Sequence, residues 1–97
     1  MIIRIVKMEF EPKYVEDFLD IFHESAPLIR AFEGCTNLEL YRDQDTPNIL
    51  FTYSYWEGPE YLENYRKSEL FGNTWKRTKV LFSGVPQAWS VDRVWGG

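Results

Sequence analysis

The chain has little of what most catalytic centres are assembled from. Its 97 residues include one cysteine, Cys35, and one histidine, His23. A single thiol excludes an internal disulfide and any cysteine-cluster metal site. One imidazole leaves a single side chain that titrates near neutral pH without help. Long apolar runs are missing, and no charged leader with an apolar stretch precedes the opening Met1-Ile2-Ile3-Arg4-Ile5-Val6. These absences argue against export and membrane insertion, and for a reducing cytoplasm. An excess of basic residues is lacking too. Eleven Lys and Arg stand against 15 Asp and Glu, for a net charge of -4. Nucleic acid wants a clustered basic surface. The one cluster here, Lys76, Arg77 and Lys79, reads as a solvated helix face.

What the chain has in plenty is aromatic rings, 18% of all residues. Eight of them, from Phe51 to Trp75, fall within 25 residues. Leu, Ile and Val suffice to fill a small core. A concentration of Tyr and Trp points instead to surfaces that are partly wet and partly apolar, as in pockets and interfaces. The length fits one domain, residues 1–97, with a modest core that pairing with a second copy would help to cover.

Periodicity divides the chain into elements. Residues 2 to 10 alternate as a strand, with Met8 and Phe10 set against Lys7 and Glu9. Pro12 suits a first helical position. Val15, Phe18, Leu19, Phe22, Ala26 and Ile29 then follow helical spacing, with an interruption expected near Ser25 because of Pro27. Gly34 is a stop. Cys35 to Arg42 and Ile49 to Trp56 form a hairpin around a turn rich in Asp, Thr, Pro and Asn. Phe51, Tyr53 and Tyr55 take one face of its second strand, and Leu50, Thr52, Ser54 and Trp56 the other. Gly58-Pro59 opens helical sequence through Phe82, with a break at Ser68 or Gly72. Gln87 to Trp95 alternates as a last strand.

The order β-α-β-β-α-β predicts an α+β, ferredoxin-like fold: a four-stranded antiparallel sheet with helices on one face. The other face is left bare. It would carry rings from Tyr41, Phe51, Tyr53, Tyr55 or Trp89, and an exposed apolar patch of that kind marks an association site. A two-fold homodimer, sheet against sheet, is the simplest cover.

The stretch Phe51-Thr-Tyr-Ser-Tyr-Trp56-Glu57, followed by Leu62, Tyr65, Ser68, Glu69, Leu70 and Phe71, resembles the antibiotic biosynthesis monooxygenase family. Its members carry a strand ending in Trp, a helix, and a short Ser-x-x-Phe turn. Upstream, Phe32-Glu33-Gly34-Cys35 resembles the family's Pro-Gly-Cys entry to the second strand. The likeness runs from Ile3 to Val94. It implies a dimeric α+β barrel with a pocket between sheet and helices in each subunit. It also implies oxygenation of electron-rich aromatic or quinol substrates, often with no metal, flavin or other cofactor. A deprotonated polyphenol or anthrol can itself pass an electron to O₂. The protein then has to bind a flat ring, help remove a proton and stabilise an oxyanion.

The chain departs from the family at three positions. Tyr65 stands where many quinol-oxidising members have His, and Ser54 where many have Glu. A haem-ligating His is also missing, with Trp75 at the matching place, which argues against haem degradation.

The candidate catalytic residues are therefore His23, as a general base, and Tyr65, at the family's functional position. Asn37, Tyr53, Tyr55, Trp56 and Trp75 are candidate substrate contacts. Each has a plainer reading: a solvated helix histidine, interface tyrosines, core tryptophans. The expected partners are a second copy of the chain and a small aromatic or quinol ligand, with no nucleic acid and no membrane. The expected activity is cofactor-independent monooxygenation. The alternative is a non-catalytic ligand-binding or stress-response module on the same fold, and a weaker third reading spends the rings on the interface alone.

Overall fold

A computed structural model describes residues 1–97. Strand β1 (Ile2–Glu9) leads through a 3₁₀ turn (Pro12–Tyr14) into helix α1 (Val15–Arg30). The hairpin β2 (Cys35–Arg42) and β3 (Ile49–Trp56) follows. Helices α2 (Pro59–Arg66) and α3 (Glu69–Lys79) and strand β4 (Gln87–Val91) complete the chain. The sheet order is β2-β3-β1-β4, antiparallel throughout. This is the ferredoxin-like arrangement the periodicity predicts, with three helices in place of two. No helix is long and apolar enough to cross a membrane.

Register decides which side chains share a face, because directly paired residues point the same way. Ile5 pairs with Tyr53 and with Trp89, and Tyr53 pairs with Glu39. That row looks away from the helices. The next row, Leu40, Thr52, Val6 and Ala88, looks toward them. Most buried strand side chains follow the same division: Met8, Leu50, Ser54 and Trp56 stand on the helix side, and Ile3, paired with Tyr55, is the exception.

Packing falls into two clusters. Met8, Phe10, Phe18 and Leu50 fill one end, where the Phe10 and Phe18 rings stack with centroids 4.4 Å apart. Cys35, Trp56 and Leu62 fill the other, with Phe32, Tyr61 and Tyr65 against them. Phe10 and Trp56 are wholly buried. Burial of side chains this large contributes about 1.5–3 kcal/mol each.

Local chemistry explains the joints. The Asp43 carboxylate accepts from the backbone N–H of Asp45 and Thr46 at 3.1 and 2.8 Å, closing the hairpin turn. Ser68 separates α2 from α3. Its hydroxyl donates to the Tyr65 carbonyl at 2.6 Å and accepts from the Phe71 N–H at 3.1 Å, so one side chain caps both helix ends. Gly34, with φ of 87°, turns the chain out of α1 toward β2. A Cβ there would lie 2.3 Å from the Tyr61 ring.

Four boundaries differ from expectation. Pro12 opens a 3₁₀ turn and not the α-helix itself. Helix α1 runs unbroken through Pro27 to Arg30. Pro27 sits in its last turn, so a single carbonyl loses its partner, and the Ala31 N–H still reaches the Pro27 carbonyl at 3.1 Å. Helix α3 ends at Lys79, and Phe82 instead bridges to Phe10. Strand β4 stops at Val91 and not at Trp95, because its partner β1 begins at Ile2 and Val91 already pairs with Ile3.

Candidate functional site

A cavity of about 310 Å³ lies between the sheet and the helices. Its floor is the helix side of the sheet: Arg4, Val6 and Met8 of β1, with Thr52 and Ser54 of β3. Its roof comes from Phe18, Phe22 and Ile29 of α1 and from Leu62, Tyr65 and Arg66 of α2. Helix α3 closes the side with Phe71, Thr74, Trp75 and Thr78. The volume is that of a site for a small ligand, and the lining is mostly apolar with a few polar groups.

The aromatic side chains form a continuous wall. Trp56 stacks on Tyr65 with centroids 4.9 Å apart and planes inclined by 26°. Tyr65 meets Phe71 edge-on at 5.3 Å, and Phe71 is nearly parallel to Trp75 at 6.0 Å. Phe32 closes on the Tyr65 ring from another side at 5.4 Å. The ring of Tyr65 is thus clamped by three others. Its hydroxyl has no partner within the chain, yet no fully buried polar side-chain atom lacks one. The hydroxyl is therefore not wholly enclosed, and the residue lines the cavity. Burial, and after it the neighbouring Cys35, pushes the Tyr65 phenol well above its ordinary value. It is a neutral hydrogen-bond donor at any physiological pH, not a base.

Some of the neighbouring polar groups are already engaged. The Trp56 indole Nε1 donates to the Ser54 hydroxyl at 2.9 Å. The Thr78 hydroxyl donates to the Thr74 carbonyl at 2.7 Å. Arg4 donates through Nη1 to the Ser90 hydroxyl at 3.0 Å. The lining holds no carboxylate and no imidazole. Nowhere do three or more His, Cys, Asp or Glu side chains gather as metal ligands.

The sequence-derived candidates separate in space. Tyr65 and Trp75 line the cavity, and Trp56 lies directly behind Tyr65. His23 does not line it. Helix α1 buries Phe18, Ile21, Ser25 and Ile29, and His23 is turned to solvent on its other side. Asn37, Tyr53 and Tyr55 project from the opposite face of the sheet, as the pairing of Tyr55 with Asn37 and Ile3 dictates. There Asn37 donates to the Glu39 carboxylate at 3.0 Å, and Tyr53 meets Tyr41 edge-on at 5.2 Å. Tyr41, Tyr53 and Tyr55 border a shallower, more open depression on that face. Periodicity did not single out Arg4, Thr52 and Arg66. The signal for Arg4 was present: it shares the strand row of Val6 and Met8.

A ferredoxin-like sheet with an aromatic cavity under its helices defines the class: small α+β proteins with a ligand-sized chamber between layers. Within that class, the chain belongs to the antibiotic biosynthesis monooxygenase family, whose model matches residues 1–77. Among solved structures, an antibiotic biosynthesis monooxygenase superposes with a TM-score of 0.90 at 18% identity, covering 97% of this chain and 99% of that one. A conserved protein of Methanosarcina mazei Go1 gives 0.88 at 20% identity, over 94% and 91%. A Mycobacterium tuberculosis protein gives 0.89 at 16%, over 98% and 96%. At such identities the likeness is one of fold. Among curated proteins, none matches the chain by sequence.

Proposed function

We propose that the chain is a monooxygenase that oxidises a small electron-rich aromatic, a quinol or an anthrone, in the cavity beneath its helices. The observation that carries the reading is the chamber of about 310 Å³ walled by Tyr65, Phe71 and Trp75, in a chain of this family. A flat ring fits against stacked aromatics, and the mostly apolar lining limits the water around the reacting carbon. Deprotonated substrate supplies the electrons. In anthrone oxidation, for example, one oxygen atom of O₂ becomes the new ring carbonyl and the other leaves as water. The methylene loses both hydrogens, so atoms and electrons balance without a further reductant.

Residue roles follow from position. Tyr65, held protonated by burial, donates a hydrogen bond to the oxyanion of the ionised substrate. Trp75 and Phe71 hold the ring, and Trp56 fixes the Tyr65 ring from behind. His23 receives no role, because it stands outside the chamber. With no carboxylate or imidazole in the lining, the proton leaves by way of solvent or bound ligand groups. That same absence favours the second reading, a non-catalytic binding module. Oxygen consumption with a panel of hydroquinones and anthrones decides between them. Turnover that falls in Tyr65→Phe supports the oxygenase. No turnover by the wild type with any member supports the binder.

We further propose that the uncovered sheet face pairs two copies. Tyr41 and Trp89 are nearly half exposed on it, Tyr53 and Tyr55 lie between, and Arg93 sits 5.9 Å over the Tyr55 ring. Sedimentation of the wild type as a dimer, and of Tyr53→Glu as a monomer, is the expected result. A wild-type monomer at micromolar concentration would count against it.

A further inference from the structure

Two guanidinium groups face a chamber that contains no carboxylate. Arg4 rises from the helix side of β1, half-buried, and its one hydrogen bond goes to the neutral Ser90 hydroxyl. It forms no ion pair within the chain. Arg66 stands at the end of α2, next to Tyr65, and lines the same cavity. It is exposed, and its only acidic neighbour is Glu63 on its own helix, at 4.0 Å. The two cations feel each other: burial first, and then the charge of Arg66, draw Arg4 below the ordinary guanidinium value. Arg4 is still a cation at neutral pH. A half-buried cation with a like-charged neighbour and no counter-ion is unfavourable in the empty protein. The surroundings sharpen the contrast, because the chain as a whole carries a net charge of -4. A positive spot in the mouth of an apolar chamber on an acidic protein is arranged for an anion.

We propose that the cavity takes a flat aromatic ligand bearing a carboxylate, with Arg4 and Arg66 holding the carboxylate and the aromatic wall holding the ring. The inference rests on the cavity being the substrate site and names the class of substrate it selects. Guanidinium groups match the two oxygens of a carboxylate, and charge-assisted hydrogen bonds are about twice as strong as neutral ones. Ligand binding also supplies the counter-charge that Arg4 lacks. Arg4, the more desolvated of the two, carries the larger share. Arg66, in water and partly paired with Glu63, adds less and is screened more by salt.

The test is calorimetric titration of the wild type with 2-naphthoate and with 2-naphthol at neutral pH and low salt. The acid is expected to bind about ten-fold more tightly than the neutral phenol. Arg4→Gln should remove about ten-fold from naphthoate affinity and Arg66→Gln about three-fold, with naphthol binding unchanged in both. Arg4→Lys, which keeps the charge, should retain most of the preference. Should Arg4→Gln fail to fold, Arg66→Gln and Arg4→Lys still carry the comparison. Naphthoate binding no tighter than naphthol, or indifferent to both glutamine variants, overturns the proposal. The readout is independent of catalysis. Arginine-dependent binding without oxygen uptake would remove the oxygenase reading and leave this one. Turnover of anthrones by a protein whose naphthoate binding is indifferent to both glutamine variants would do the reverse.

Discussion

Replacing Tyr65 by Phe separates a structural ring from a chemical hydroxyl. The ring is held by Trp56 at 4.9 Å, Phe71 at 5.3 Å and Phe32 at 5.4 Å, and phenylalanine keeps all three contacts. The hydroxyl bonds to nothing in the chain and is not wholly enclosed, and the residue lines the cavity. Its removal therefore breaks no internal hydrogen bond and leaves no orphaned partner, so stability should move by less than about 0.5 kcal/mol. Catalysis should respond quite differently. Loss of one hydrogen-bond donor to a developing oxyanion costs about 100-fold or more in kcat, close to 3 kcal/mol. Tyr65→Ala supplies the contrast. It removes the ring as well, and should cost about 3–5 kcal/mol of stability. Urea unfolding of the three proteins gives the stabilities, and an oxygen electrode gives the rates. A Tyr65→Phe variant destabilised by more than about 1.5 kcal/mol would mean that the hydroxyl is structural. One that turns over at the wild-type rate would mean that it has no part in the chemistry.

Three further outcomes are expected. Ser54→Ala leaves the buried Trp56 indole N–H without its acceptor and should cost about 1–3 kcal/mol in urea unfolding. Gly34→Ala forces a Cβ into the Tyr61 ring from a positive φ, and should lower stability by about 1–3 kcal/mol in the same assay. The third outcome is alkaline. Burial raises Cys35 and Tyr65 above their ordinary 9.0 and 10.0, so the folded protein keeps protons that the unfolded chain releases. Stability is intact below about pH 9 and falls as pH rises beyond it, by up to about 1.4 kcal/mol per pH unit from Tyr65 alone. The decline should be visibly shallower in Tyr65→Phe by pH-dependent thermal unfolding, and an equal slope in both proteins would refute it.

The sheet and its two faces were legible in the sequence because strand alternation is a local signal. Cys35 to Arg42 and Ile49 to Trp56 are the strands that form. The placement of Leu50, Ser54 and Trp56 toward the helices follows from period two alone. Ser68 was one of two candidate breaks, and its hydroxyl distinguishes it from Gly72, which sits inside α3 with open space around it. Pro27 misleads because its cost depends on how much helix follows it, and here only one turn does. The end of β4 depends on where its partner β1 begins, which is a non-local fact. The site was half legible. Tyr65 and Trp75 follow helical spacing toward the sheet. Asn37, Tyr53 and Tyr55 were expected at both the interface and the substrate, and the pairing register puts them on the face away from the cavity. His23 stood out by rarity, which carries no information about direction. Arg4 was overlooked because a lone charge in an apolar strand row is easily read as edge solvation, whereas it faces the helices.

The central claim is that this chain inserts oxygen from O₂ into an aromatic held beneath its helices. The most direct measurement is mass spectrometry of product formed under ¹⁸O₂ in ordinary water, with wild type and Tyr65→Phe side by side over a panel of anthrones and quinols. The account predicts protein-dependent product carrying one ¹⁸O atom, formed far more slowly by Tyr65→Phe. Product that takes its oxygen from water, or that forms equally fast without the protein, would contradict it.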